Sequence, residues 1–248
     1  MMQVCFRSFF NIFLFLIILF VAPPGKTEGS ISFQETKSIA RKIWSFHRET
    51  VYCGCRFDKH LKVDTQSCGY FPQNVQRGER VEWEHIVPVS WFGHQRLCWR
   101  EKTCVNKKGQ KTKGRQCCEK VDPEFRKMYT DLHNLIPVIG EVNAARRNYR
   151  FVEAQIDHAN YNGCKIAIDN DRRSVSPRES TKGLIARAHL YMSENYNFKL
   201  SAQQHKLFSH WDQRYPPSEW EIMWNALIQA EQGTDNLYIS HYGRVHDR

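Results

Sequence analysis

The chain has 248 residues, of which 41% are hydrophobic and 25% charged, with 13 Gly and 9 Pro. That balance excludes a disordered tail, a collagen-like repeat and a coiled coil, and the length suits one large domain or two small ones with a substantial core. A formal charge of +10 points toward acidic partners such as nucleic acid or an anionic membrane, although net charge bears on steering and solubility and not on fold.

The N-terminus reads as an export signal. After Arg7, the apolar run from Phe9 to Ala22 has the length of a signal-peptide core and falls short of the roughly 20 apolar residues a membrane helix needs. An uncleaved anchor is the competing reading. Residues 1–29 are set apart as the signal, and 30–248 are expected to form one periplasmic or secreted domain, free of the membrane once the signal is removed. Of nine cysteines, Cys5 lies in the signal and eight follow, an even number that reads as disulfide pairs in an oxidising compartment. Cys53-Gly54-Cys55 could instead open a zinc site, but its spacing departs from C-x2-4-C and no second Cys or His pair follows at finger distance.

In chain order, Ser32-Phe33-Gln34-Glu35 fits a capping box, and Ile39, Ile43 and Trp44 continue a helix to about His47. Between Thr50 and Lys127 the pattern breaks into short β-prone pieces rich in Cys and Gly, predicting short strands and long loops held by disulfides. Within this region Arg80 to Pro88 alternates as a strand and ends in adjacent Glu84 and His85. Consecutive side chains on an extended backbone point to opposite sides, so one can hold a metal while the other faces a substrate. Alone, such a pair is more simply structural. The stretch Arg100 to Arg115 carries Arg100, Lys102, Lys107, Lys108, Lys111, Lys113 and Arg115 against the single acid Glu101; it is either a solvated loop or a phosphate-contacting one.

Further on, Leu132 to Pro137 reads as a strand and the spacing turns helical from about Gly140, so Asn134 and Asn143 fall on strand and helix. Buried amides are costly unless bonded, and two at such a junction suggest a polar site. Arg146 and Arg147 follow one turn after Asn143 and could clamp a phosphate or lie on a solvated face. The C-terminal third predicts three helices: one carrying Leu184, Ile185, Ala188, Tyr191 and Met192, one capped by Ser201 with Leu207, Phe208 and Trp211, and one opened by Ser218 with Met223, Trp224, Leu227 and Ile228. Gly233 is the expected stop. Aromatics on these stripes read as packing residues.

Taken together, the strings EWEHIVP, WFGHQRLCW, DLHNLIPVIGEVN and AHLYMSENY resemble the bacterial endonuclease I family, periplasmic or secreted nucleases with a ββα-metal (His-Me) finger, over nearly all of the chain after residue 30. The resemblance implies an α+β, helix-rich single domain, disulfide-stabilised, acting as a monomeric endonuclease. It implies His85 as the general base and Glu84 and Asn143 as ligands of one Mg2+, with Mn2+ or Ca2+ able to replace it in binding. Asn134 would orient the hairpin and His85. Gly114-Arg115-Gln116-Cys117-Cys118 would place Arg115 on the phosphate. Products with 5′-phosphate and 3′-hydroxyl ends are likewise implied.

The residue chemistry agrees. Phosphodiester hydrolysis needs an activated water and neutralisation of developing charge; an imidazole serves the first near neutral pH, and a hard divalent ion accepts one carboxylate and one amide oxygen while keeping several waters. Arg146, Arg147, Lys107, Lys108, Lys111 and Lys113 are the candidate nucleic-acid contacts. DNA is the expected substrate, RNA the alternative, with little sequence preference because phosphate contacts carry no base information.

The chain also departs from that family. An insertion after Trp99 carries Cys104 and most of the lysines, and with Cys117 suggests an extra disulfide closing it. Tyr129 stands where relatives often have a glutamate, and the Gly233 to Tyr238 ending is atypical. Two rivals stay open: a zinc peptidase, which lacks its H-E-x-x-H, and a non-catalytic, disulfide-stapled nucleic-acid-binding protein.

Overall fold

The computed structural model describes residues 31–153 and 161–243; the signal segment lies outside the described residues. Ser32 opens α1 (Phe33–Ile43) as the capping box predicted, its hydroxyl accepting from Glu35 N–H while the Glu35 carboxylate accepts from Ser32 N–H. The irregular region then holds α2 (Val75–Gly78), β1 (Val81–His85), α3 (Val89–Gly93) and α4 (Leu97–Arg100). A hairpin of β2 (Cys104–Val105) and β3 (Lys111–Thr112) follows, then α5 (Arg115–Val121) and α6 (Pro123–Tyr129). Short helices stand where strands and loops were expected. Side-chain caps start some of them, Asn74 at α2 and Asp122 with Pro123 at α6, and at four to seven residues they are too short to show a helical period.

All eight described cysteines pair, as Cys53–Cys164, Cys55–Cys68, Cys98–Cys118 and Cys104–Cys117. Cys53 and Cys55 are both consumed, which removes the zinc reading, and Cys104–Cys117 closes the lysine-rich insertion as expected.

Next comes β4 (Leu135–Ile139), antiparallel to β1 with His85 opposite Leu135 and Val81 opposite Ile139, and directly after it α7 (Gly140–Arg146). The strand starts later than predicted. Leu132–Asn134 form a 3-10 turn because Asp131 Oδ1 accepts His133 N–H, so Asn134 precedes the strand. A second small sheet of β5 (Arg150–Phe151), β6 (Ala167–Asp169) and β7 (Ser174–Ser176) runs in the order β5-β7-β6.

The C-terminal helices are α8 (Glu179–Asn195), α9 (Ala202–Arg214), α10 (Glu219–Gln232) and the short α11 (Leu237–Ser240). Ser201 and Ser218 cap α9 and α10, and Gly233 ends α10 at φ +80°, a left-handed turn that suits glycine. Buried on nearly all sides from Thr181 to Met192, α8 is the central helix and packs on α9. Its Arg187 bridges the bundle through Glu221 (2.6 Å) and Asp212 (3.1 Å). Phe208, Trp211 and Trp224 pack in the core as expected, but Met223 is 52% exposed because Trp224 and Ile228 already fill the inner stripe. Among the described residues no helix is long and apolar enough to cross a membrane.

Two apolar clusters result. The larger includes Ile43, Trp44, Val81, Ile86, Leu135, Ile185 and Trp224. The smaller gathers Phe92, Phe125, Met128 and Tyr129 around Cys98–Cys118 and Cys104–Cys117. The end of β1 lies on the seam between them.

Asp122 ties the smaller cluster together, pairing with Arg96 through two hydrogen bonds (2.6 and 2.9 Å) and accepting Phe125 N–H at 3.0 Å. Burial alone would raise its carboxyl, but Arg96 and that N–H outweigh burial and hold it below the ordinary value. A depressed carboxyl contributes stability above its unfolded value, near pH 4, and loses it as pH falls through the folded one. Asp122→Asn, which keeps a good cap, is expected to lose about 2 kcal/mol at pH 7. In urea titrations the gap from the parent protein should close below about pH 4; a gap independent of pH would contradict this role.

Candidate active site

Strand alternation puts Glu82 and Glu84 on one face of β1, and α7, which follows β4, packs against it. Asn143 and Arg146, one helical turn apart, meet them in register. Asn143 Nδ2 donates to Glu82 Oε2 at 3.1 Å, and Arg146 Nη1 stands 3.0 Å from Glu84 Oε1. A carboxylate only accepts hydrogen bonds, so Glu82 fixes the amide nitrogen of Asn143 and leaves Oδ1 as its free ligand atom. Glu82 is itself gripped by Arg77 (2.9 and 2.8 Å) and Arg80 (2.8 Å). Burial would raise its carboxyl, but these two arginines hold it below the usual range. Gly140 is required here, since a Cβ would stand 2.8 Å from Glu82 Oε1 and 2.9 Å from the Arg77 carbonyl.

The Glu84 carboxylate is buried, and burial pushes it up to about 7 against the pull of Arg146. Arg146 is close enough to pair its charge but not aligned as a hydrogen bond, so the buried Oε1 has no hydrogen-bond donor. Arg146 therefore departs from the surface phosphate clamp that the sequence suggested. Its side chain is 1% exposed; Nη2 donates to the Ile86 carbonyl (2.6 Å), Nη1 to those of Arg147 (3.2 Å) and His85 (3.4 Å), and the guanidinium lies 4.8 Å from the Phe151 ring centre. It ties α7 to the end of β1. Arg147, by contrast, is exposed at the end of α7.

His85 closes β1. Its Nε2 lies 2.9 Å from the Tyr129 carbonyl, which can only accept, so Nε2 carries the proton and the Nδ1 lone pair is left for other work. The ring packs against both Tyr129 (5.1 Å) and Phe33 (5.2 Å), which also stack on each other at 4.5 Å. Burial, with Arg115 and Arg146 nearby, pushes the imidazole down to about 4 despite the Tyr129 carbonyl, so it is neutral at pH 7. Asn134 lies beneath, fully buried, its Oδ1 accepting Val87 N–H (2.7 Å), its Nδ2 donating to the Val87 carbonyl (3.1 Å) and its own carbonyl accepting Ile86 N–H (3.0 Å). It clamps the chain immediately after His85 and has no amide atom left over.

Arg115, the exposed first residue of α5, sits with its guanidinium 5.7 Å from the Tyr129 ring centre. A cleft of about 370 Å3 thus brings together Glu84, His85, Arg115, Asn143 and Arg147. Lys107, Lys108, Lys111 and Lys113 are all exposed on the disulfide-closed β2–β3 hairpin that leads into Arg115; Lys113 donates to the Arg100 carbonyl at 2.9 Å, and none of the four lines the cleft.

Sequence reasoning passed over Glu82, Tyr129 and Phe33. The period-2 alternation could have found Glu82, since it shares a face with Glu84. Tyr129 was noted only for the carboxylate it lacks, whereas its backbone carbonyl and ring hold His85 and its ring lies under Arg115.

Residues 30–242 match the family model for endonuclease I. The chain is 39% identical to an extracellular deoxyribonuclease of Aeromonas hydrophila, over 90% of this chain and 94% of that protein, and 40% identical to a periplasmic deoxyribonuclease of the same organism, over 90% and 91%. It is also 38% identical to an endonuclease-1 of Buchnera aphidicola subsp. Baizongia pistaciae, over 92% and 93% of the two chains. With the match spanning the strand, helix and cleft just described, the chain belongs to the endonuclease I family.

Proposed function

We propose that residues 30–248 form a secreted or periplasmic, metal-dependent endonuclease that hydrolyses DNA with little sequence preference. RNA carries the same phosphodiester and is the second substrate to test. The observation that carries the reading is His85: its Nε2 is anchored on a carbonyl, which leaves Nδ1 as the free lone pair, and the residue lines a cleft shared with Glu84, Asn143 and Arg115. The names of the deoxyribonuclease relatives support both the substrate and the location.

Glu84 and Asn143 would hold one divalent ion, Mg2+ by preference. They fit it: Glu84 Oε1 is a buried carboxylate oxygen with no hydrogen-bond donor, Asn143 Oδ1 is left free by the Glu82 contact, and hard cations favour such oxygens. When bound, the ion would supply positive charge to offset the negative charge building on the phosphate and its leaving oxygen. Everything else is done by the chain. His85 Nδ1 takes a proton from the attacking water while Nε2–H stays bonded to Tyr129, which stabilises the imidazolium as it forms. Arg115 pairs with a phosphate oxygen and fixes the diester for attack. The water oxygen bonds to phosphorus as the bond to the 3′ oxygen breaks, and that oxygen takes a proton from solvent water, leaving 5′-phosphate and 3′-hydroxyl ends. Because these groups address phosphate, the cleft confers little base preference.

The oxidised protein is expected to nick and linearise supercoiled plasmid with Mg2+, and to lose this both in EDTA and as His85→Ala. Tight, salt-sensitive DNA binding without cleavage under any divalent ion would replace the enzyme with a binding protein. Glu82→Ala removes the carboxylate that orients Asn143 without touching the ion or His85. It should raise the Mg2+ concentration for half-maximal activity about tenfold and weaken Mn2+ binding to the substrate-free protein by a similar factor. Unchanged Mn2+ affinity in folded Glu82→Ala would show that Glu82 has no part in positioning the ligand.

A further inference from the structure

Next to the catalytic cleft lies a second concavity of about 420 Å3, lined by Arg150, Arg172, Arg173, Trp91 and the first turn of α9. The two share a wall. Asn148 lines both, Trp91 Nε1 donates to the Asn148 carbonyl at 3.2 Å, and Asn148 Nδ2 donates to Ser90 Oγ at 3.3 Å.

The second sheet creates the groove's charge. Leaving α7, the chain enters β5, which runs parallel to β7 with Arg150 opposite Ser174 and Arg150 N–H donating to the Arg173 carbonyl at 3.3 Å. That pairing sets Arg150 beside the β6–β7 turn, which carries Arg172 and Arg173. Arg147 from the cleft rim and Arg173 from the turn each stand 5.9 Å from the Tyr149 ring centre, so that ring links the cleft rim to the groove. Among the described residues no carboxylate lines the groove. Asp169 reaches Arg172 at 3.7 Å, with the Arg172 side chain 81% exposed. The concavity at Arg56 and Lys62 contrasts with it, since Asp58, Asp64 and Glu79 line that one too.

Three guanidiniums gathered on one groove, with Asp169 reaching only Arg172 at 3.7 Å, repel one another and gain from a polyanion that offers a phosphate to each. Resting on the nuclease reading above, we infer that this groove binds the nucleic-acid strand flanking the scissile phosphate, through Arg150, Arg172 and Arg173 to successive backbone phosphates. Gln203 and Gln204 at the start of α9 face the same groove and can donate to the strand. Such contacts are independent of sequence and add directly to the salt dependence of binding.

The test is fluorescence anisotropy of a labelled duplex of about 20 base pairs against the full oxidised protein in EDTA, at several salt concentrations, so that neither metal nor turnover enters. The triple variant Arg150→Gln/Arg172→Gln/Arg173→Gln should bind at least tenfold more weakly near 0.1 M salt, with a log–log salt slope shallower by about 2. A variant of equal charge loss elsewhere, Arg56→Gln/Lys59→Gln/Lys62→Gln, should keep the parent's slope. Equal slopes in the two triple variants would overturn the groove while leaving the catalytic reading intact; a parent protein that binds no duplex would overturn both. If the groove triple variant melts early, Arg150→Gln alone serves, with a slope shallower by about 1 expected and an unchanged slope contradicting.

Discussion

An imidazole can accept a proton from water at one nitrogen only if the other is committed as a donor, and in this chain that commitment is the bond between His85 Nε2 and the Tyr129 carbonyl. Much of the fold holds that one carbonyl in place. Tyr129 ends α6, whose start is fixed by Asp122 and Arg96. Beneath it lie Cys98–Cys118 and Cys104–Cys117. Phe33, delivered by the capping box of α1, stacks on both Tyr129 (4.5 Å) and His85 (5.2 Å). A helix near the N-terminus and a pair of disulfides thus bear on the tautomer of His85.

The other half of the site is a layering of charge. Arg77 and Arg80 hold Glu82, Glu82 holds the amide of Asn143, and Arg146 partly neutralises Glu84 from behind. A buried carboxylate without any cation nearby would protonate. One fully satisfied by hydrogen bonds would have nothing left for a metal ion. Arg146 lies between these extremes because most of its donors go to the backbone carbonyls of His85, Ile86 and Arg147. The same guanidinium therefore fastens α7 to β1 and tunes Glu84.

Local signals in the sequence carried far. The caps at Ser32, Ser201 and Ser218 mark the helices they begin, because side-chain-to-backbone capping is settled within four residues. The gathering of Glu84, His85, Asn143 and Arg115 was legible through family resemblance, and the cleft contains all four. Features made by tertiary pairing were not legible. Arg146 and Arg147 are alike in sequence, yet one is buried against carbonyls that β1 presents and the other is exposed. The Tyr129 carbonyl belongs to the backbone and leaves no side-chain trace. Arg150 and Arg173 meet only through the β5–β7 register, across a sequence gap that no local pattern spans.

The proposed chemistry turns on which nitrogen of His85 bears the proton. Long-range 1H–15N correlation spectra of the selectively labelled, oxidised protein at neutral pH would read it directly. The structure predicts the Nε2–H tautomer with an unprotonated Nδ1, preserved in Glu84→Gln. An Nδ1–H tautomer would mean that the lone pair faces the Tyr129 carbonyl instead of the cleft, and the assignment of His85 as the base would fall.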